Sequence, residues 1–167
     1  MAGFTGRALV GCGGALFLLG LGCVGPSTAP ARSSPGWLAA CPGSPNCVSS
    51  DSRSGTHQVA PLKITGDSDA AWAAIGRVVG SLPGCTVARR TELDLHAECR
   101  SKVFRFVDDL DLQRRPRSGV VAVRSASRVG YGDLGVNRRR VEQLRSRLAA
   151  EGILRKDNFE LQTGDEG

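Results

Sequence analysis

The sequence predicts an α+β domain in which two helices cover one face of a mainly antiparallel sheet. Three observations predict it. Apolar residues recur at helical spacing in two places, Trp72, Ile75, Val79 and Leu82, then Val141, Leu144 and Leu148. Between them lie four segments of alternating character, separated by turn residues. The chain has 167 residues, 41% hydrophobic, enough for one core, and its charged fraction of 23% is too ordinary for a disordered chain.

The elements follow in order: strand, helix, four-strand meander, helix. Residues 59–64 read as a short strand that Pro61 confines to a sheet edge. Ser68 is placed to cap a helix with an acidic first turn, and Pro83-Gly84 ends it. Residues 85–90 and 93–99 alternate around Thr91-Glu92, so a hairpin there sets Cys85 opposite Cys99. Residues 102–112 and 119–129 form two further strands joined by a turn at 113–118. Asn137 is placed to cap the last helix, which runs to Ala150 and stops at Gly152.

The N-terminus carries a different signal. One basic residue, Arg7, precedes an uncharged apolar stretch at 8–22, the layout of a signal peptide. Gly25 and Pro26 end the stretch before the roughly 18 residues of a spanning helix, so a retained anchor is the second reading. Leu19-Gly20-Leu21-Gly22-Cys23 resembles the lipobox of bacterial lipoproteins, in which the Cys is acylated and becomes the mature N-terminus. Gly20 stands where that pattern has an aliphatic residue. Residues 1–22 are thus expected to be a signal peptide, 23–36 a Pro- and Ser-rich tether, 37–155 the domain and 156–167 a polar tail. The expected location is the cell envelope, with the lipid anchor holding the domain at a membrane.

Four cysteines then remain, Cys41, Cys47, Cys85 and Cys99, an even number that suggests two disulfides in an exported chain. Local geometry favours Cys41 with Cys47 and Cys85 with Cys99 among the three pairings. A metal site is disfavoured, since CPGSPNC has five residues between its thiols and His57 and His96 stand at no ligand spacing. Nor does a redox Cys-x-x-Cys occur. The formal charge is +6, and loss of residues 1–22 removes only one charge, Arg7, so the mature chain stays basic. That balance favours acidic partners such as lipid head groups. Nucleic acid is not expected, because the chain is exported and its basic segment has only Tyr131 as an aromatic.

Three segments exceed what a fold requires: CPGSPNCVSS at 41–50, FRFVDD at 104–109, and RSASRVGYGDLGVNRRR at 124–140. Together they resemble the bacterial and plastid family catalogued as domain of unknown function 1499, over residues from Cys41 to Leu148. The resemblance implies an exported or membrane-attached domain and brings no activity, substrate or cofactor. Asp94-Leu95 stands where the family commonly has Tyr-Leu before the residue matching His96, and the Cys85 and Cys99 pair looks particular to this chain.

Arg124 and Arg128 share a parity along their strand and flank Ala126 on one face. Arg138, Arg139 and Arg140 fall in the first turn of the last helix, where the macrodipole disfavours cations. Two arrangements offset that repulsion. Either Asp108, Asp109 and Asp133 pair with the arginines, or the arginines and the helix N-terminus receive an anion. In the second case the binding residues are Arg124, Ser125, Ser127, Arg128, Asn137, Arg138 and Arg140, and the ligand is an anionic small molecule, a lipid head group or a partner protein of the envelope.

Catalysis finds less support. Asp108 and Asp109 are neighbours on a strand and point to opposite faces, which counts against a carboxylate dyad. No Gly-x-Ser-x-Gly elbow surrounds any serine, and Gly130, Gly132 and Gly135 match neither phosphate-loop pattern. No catalytic residue and no cofactor is therefore assigned. The alternative is an envelope hydrolase using Asp108, Asp109 or Asp133 with His96.

Overall fold

A computed structural model describes residues 38–101 and 106–155 of the chain. The expected signal peptide, tether, acylated Cys23, polar tail and the Phe104-Arg105 part of the second motif lie outside the described residues. Strands β1 (Cys47–Ser49) and β2 (Leu62–Lys63) precede helix α1 (Ser68–Ser81), strands β3 (Cys85–Arg90), β4 (Asp94–Arg100), β5 (Val107–Arg115) and β6 (Val120–Ser127), and helix α2 (Val136–Ala150). The meander β3 to β6 is antiparallel throughout, and β1 and β2 both pair with the outer edge of β6. The α+β class and the helix-covered antiparallel sheet are as the sequence predicts.

Register fixes what each face carries. Leu95, Leu112 and Val123 form one cross-strand row, and Ala97, Leu110 and Ser125 the next. These rows face the helices and pack with Ile75 and Val79 of α1 and Val141, Leu144 and Leu148 of α2, all with no more than 2% of their surface exposed. Burying each such aliphatic side chain contributes about 2 kcal/mol. A third row on this face runs from the core residue Cys99 to the polar Asp108 and Ser127 and lies toward the end of β6 that leads into α2. The opposite face carries the alternate residues: Asp94, Gln113 and Ala122; His96, Asp111 and Arg124; Glu98, Asp109 and Ala126.

Several local expectations are corrected. Asp67, not Ser68, caps α1: its carboxylate accepts from the amides of Asp69 and Ala70, while the Ser68 hydroxyl accepts from Arg114. Asp is an equally good cap one residue earlier, and it leaves the hydroxyl for a cross-element bond. Asn137 lies inside α2, whose N-cap is Gly135 at φ +75°. Asp133 supplies the capping oxygens, accepting from the amides of Gly135 and Asn137. The strand expected over 102–112 is shifted: its described part starts at Val107 and runs on to Arg115, so the turn begins three residues late with a 3-10 turn at Pro116–Ser118. The first strand shrinks to Leu62–Lys63 because Pro61 has no N–H to give the ladder. Cys47–Ser49, for which the sequence predicts no element, is a strand.

Both expected disulfides are present, Cys41–Cys47 and Cys85–Cys99. The second joins directly opposed residues of β3 and β4, although a bulge between Val87 and Arg89 shifts the register nearer the turn.

Candidate functional site

The segment from β6 into α2 is held from the inside by Asn137. Its side chain is fully buried and bonds to five neighbours, one of them as far away in sequence as Asn46. The amide nitrogen donates to the Asn46 carbonyl at 2.9 Å, the Ser127 hydroxyl at 2.9 Å and the Asp133 carboxylate at 2.8 Å. Its oxygen accepts from the Ser125 hydroxyl at 2.7 Å and from Arg140 at 2.6 Å. Arg140 also reaches Asp108 at 2.6 Å and Ser125 at 2.9 Å. The carboxylate and the two side-chain oxygens offset the repulsion that a cation meets near a helix N-terminus. Asp108 retains only 7% of its side-chain exposure, so this pair is buried and each partner depends on the other.

The other face of the sheet carries a separate charged row. Arg128 clamps Asp109 with contacts of 2.7 and 3.0 Å to one carboxylate oxygen and reaches Glu98 at 2.8 Å. His96 lies between two carboxylates, with Nδ1 at 2.7 Å from Asp111 and Nε2 at 3.6 Å from Asp109. The hydrogen bond to Asp111 raises the His96 pKa above its ordinary 6.5 against the opposing effect of burial. Arg128 in turn holds the Glu98 carboxyl below its ordinary value. Arg124 pairs with Asp111 at 3.3 Å, and its Nε is buried without a hydrogen-bond partner.

The residues expected to form one arginine cluster are thus divided by the sheet. Arg124 and Arg128 lie on the open face with Asp109; Arg140, Ser125, Ser127 and Asn137 lie on the helix face with Asp108. Asp133 pairs with no arginine among the described residues; it caps α2 and accepts from the Asn137 side chain. The three acids of the hydrolase alternative occupy three different environments, and only Asp109 approaches His96. The clefts of about 590 Å³ beside Trp72 and Arg90, and of about 720 Å³ beside Cys41 and His57, are lined by none of these acids nor by His96.

What remains exposed is the loop between β6 and α2. Val129, Tyr131 and Leu134 are 54%, 78% and 93% accessible, although the loop itself is firmly fixed. The Asn46 side chain donates to the Gly130 carbonyl at 2.6 Å, and Asp133 takes three N–H groups. Leu134 sits at φ +53°, the left-handed region that costs a non-glycine residue about 1 kcal/mol. Arg139 donates to the Leu134 carbonyl and Arg138 to that of Thr56. Neither has a carboxylate partner among the described residues.

Two participants were not assigned a role from sequence. Asn46 lies within the first motif, and its carbonyl and amide join that motif to the third. Arg145 is 1% exposed and binds the carbonyls of Ala60 and Pro61, tying α2 to the segment before β2. Their single sequence cues, one Asn and one more Arg in a basic helix, do not distinguish them from surface residues.

The three motif segments therefore converge on one hydrogen-bonded frame, through Asn46, Asp108 and Asn137. A family model described as protein of unknown function, DUF1499, matches residues 37–148. The chain belongs to this family. Its match spans every strand and ends within α2, so the frame and the exposed loop both lie inside the DUF1499 region. No curated protein matches the chain.

Proposed function

We propose that this DUF1499 protein is a non-catalytic, membrane-anchored envelope domain that binds through the outward side of its 128–140 strand, loop and helix. The observation that carries this reading is a division of labour. Arg124, Arg128 and Arg140 are engaged by carboxylates, whereas Val129, Tyr131 and Leu134 stand out on a fixed loop that leads into Arg138 and Arg139, which have no acid partner among the described residues. Charges already paired inside the fold have little to offer a small anion, so the ligand class narrows to a lipid head group or a partner protein. The apolar stretch at 8–22 ending at Cys23 and two disulfides, which persist in oxidising compartments, support an anchored envelope location. The hydrolase alternative has no comparable support, because its acids do not converge.

Native mass spectrometry of the detergent-extracted mature protein from its host tests the reading. The expected result is a mass beginning at an acylated Cys23, with a companion lipid or protein that Leu134→Asp releases without lowering the melting temperature. An unacylated mass with no companion, the same for both proteins, overturns it.

A further inference from the structure

We propose that the loop tip is a bilayer-docking element, in which Tyr131 and Leu134 enter the interfacial region of an anionic membrane while Arg138 and Arg139 meet lipid phosphates. The inference rests on the reading of this loop as the binding surface and names its partner.

Shape gives the first reason. Leu134 is 93% accessible and Tyr131 78%, so both project well clear of the fold. A protruding apolar side chain is buried by a partner that deforms around it; a rigid protein needs a matching pocket for each. Tyr suits the boundary itself, with an apolar ring and a hydroxyl that stays hydrated.

Cost gives the second. Leu134 is held at φ +53°, and Asp133 fixes the turn across it by accepting from the amides of Gly135 and Asn137. The side chain gains no packing within the fold in return. A strained backbone that presents an exposed Leu is explained when the exposed side chain is used. Because the loop is already ordered, docking loses little conformational freedom.

Charge gives the third. Arg138 and Arg139 donate only to backbone carbonyls of Thr56 and Leu134, so their positive charge is not neutralised within the described residues. Arg128 and Arg140, in contrast, are matched by Asp109, Glu98 and Asp108. Uncompensated cations therefore flank the apolar tip, the pattern of a segment that binds an anionic surface.

The test is hydroxyl-radical footprinting of the full chain reconstituted in vesicles of phosphatidylglycerol and phosphatidylcholine, and in vesicles of phosphatidylcholine alone. Oxidation of Tyr131 and Leu134 is expected to fall about tenfold in the anionic vesicles, each arginine contributing a factor of about five to docking. Leu93, exposed on the β3–β4 hairpin, is the internal standard and stays unchanged. An Arg138→Gln, Arg139→Gln double variant returns Tyr131 to its unprotected rate. Equal oxidation in both vesicle types, or equal protection of Leu93, overturns the inference. If vesicles give no protection while native mass spectrometry still finds a protein released by Leu134→Asp, the bilayer is wrong and the binding surface stands. If both fail, both fall.

Discussion

Replacing Asn137 by Ala removes the centre of the frame that joins the three motif segments. The side chain has two N–H groups shared among three acceptors and one oxygen accepting twice, so about four hydrogen bonds are lost. Each contributes about 1 kcal/mol, more where a charged Arg140 donates. Some of the stranded groups keep another partner: the Asn46 carbonyl still accepts from the Ser127 amide, and Arg140 still holds Asp108. The expected loss is therefore about 3–5 kcal/mol, a large part of the 5–15 kcal/mol that holds a domain of this size together. Urea unfolding followed by far-ultraviolet circular dichroism, with the disulfides intact, should show a midpoint lowered by about 2 M at unchanged slope. Arg139→Ala, at an exposed residue bonded among the described residues only to the Leu134 carbonyl, is the control and should shift the midpoint little. An Asn137→Ala midpoint equal to that of the control would refute the claim that this amide holds the loop in place.

Four other outcomes are expected. Arg140→Ala leaves the buried Asp108 unpaired and should cost about 3–5 kcal/mol, whereas Arg128→Ala, at a side chain 38% exposed, should cost about 1 kcal/mol; chemical denaturation ranks them, and the reverse order contradicts the burial argument. Protonated His96 is stabilised by Asp111, so its contribution is fully present below pH 6.5 and is lost as pH rises through the elevated folded pKa. NMR titration of the ring should report a pKa above 6.5, and His96→Gln should flatten the stability profile in that window. Leu134→Gly relieves a left-handed Leu, so stability should be unchanged or rise by up to about 1 kcal/mol while binding through the loop is lost; a clear drop in melting temperature would assign the side chain a packing role. Removing the Cys85–Cys99 bridge as a double Ala variant frees residues 14 apart and should cost about 3 kcal/mol by urea unfolding, with the sheet retained.

The fold was legible because its signals are periodic. Trp72, Ile75 and Val79 on α1, and Val141, Leu144 and Leu148 on α2, announce their buried faces, and equal distances from the turn set Cys85 against Cys99. Caps were less legible, since Asp67 and Ser68 are both competent and only Arg114, 46 residues from Ser68, decides which serves. The site was half legible. That Asp108 and Asp109 face opposite ways follows from strand geometry, but this same geometry separates Arg140 from Arg128, which simple proximity in sequence had grouped. Asn137 looked like a cap because Asn at a helix start usually is one; its partner Asn46 lies 91 residues away, beyond any local rule. The exposed tip was missed for a different reason. Val129, Tyr131 and Leu134 lie between glycines with no period, and only accessibility shows that they face outward.

Photo-crosslinking in the host tests the central claim most directly, with a benzophenone amino acid placed in turn at Val129, Tyr131 and Leu134, and at Arg117 on the 3-10 turn between β5 and β6. The loop positions are predicted to yield adducts with membrane lipid or an envelope protein, and Arg117 none. Equal yields at all four positions, or adducts at Arg117 alone, would contradict a binding surface on the 128–140 loop.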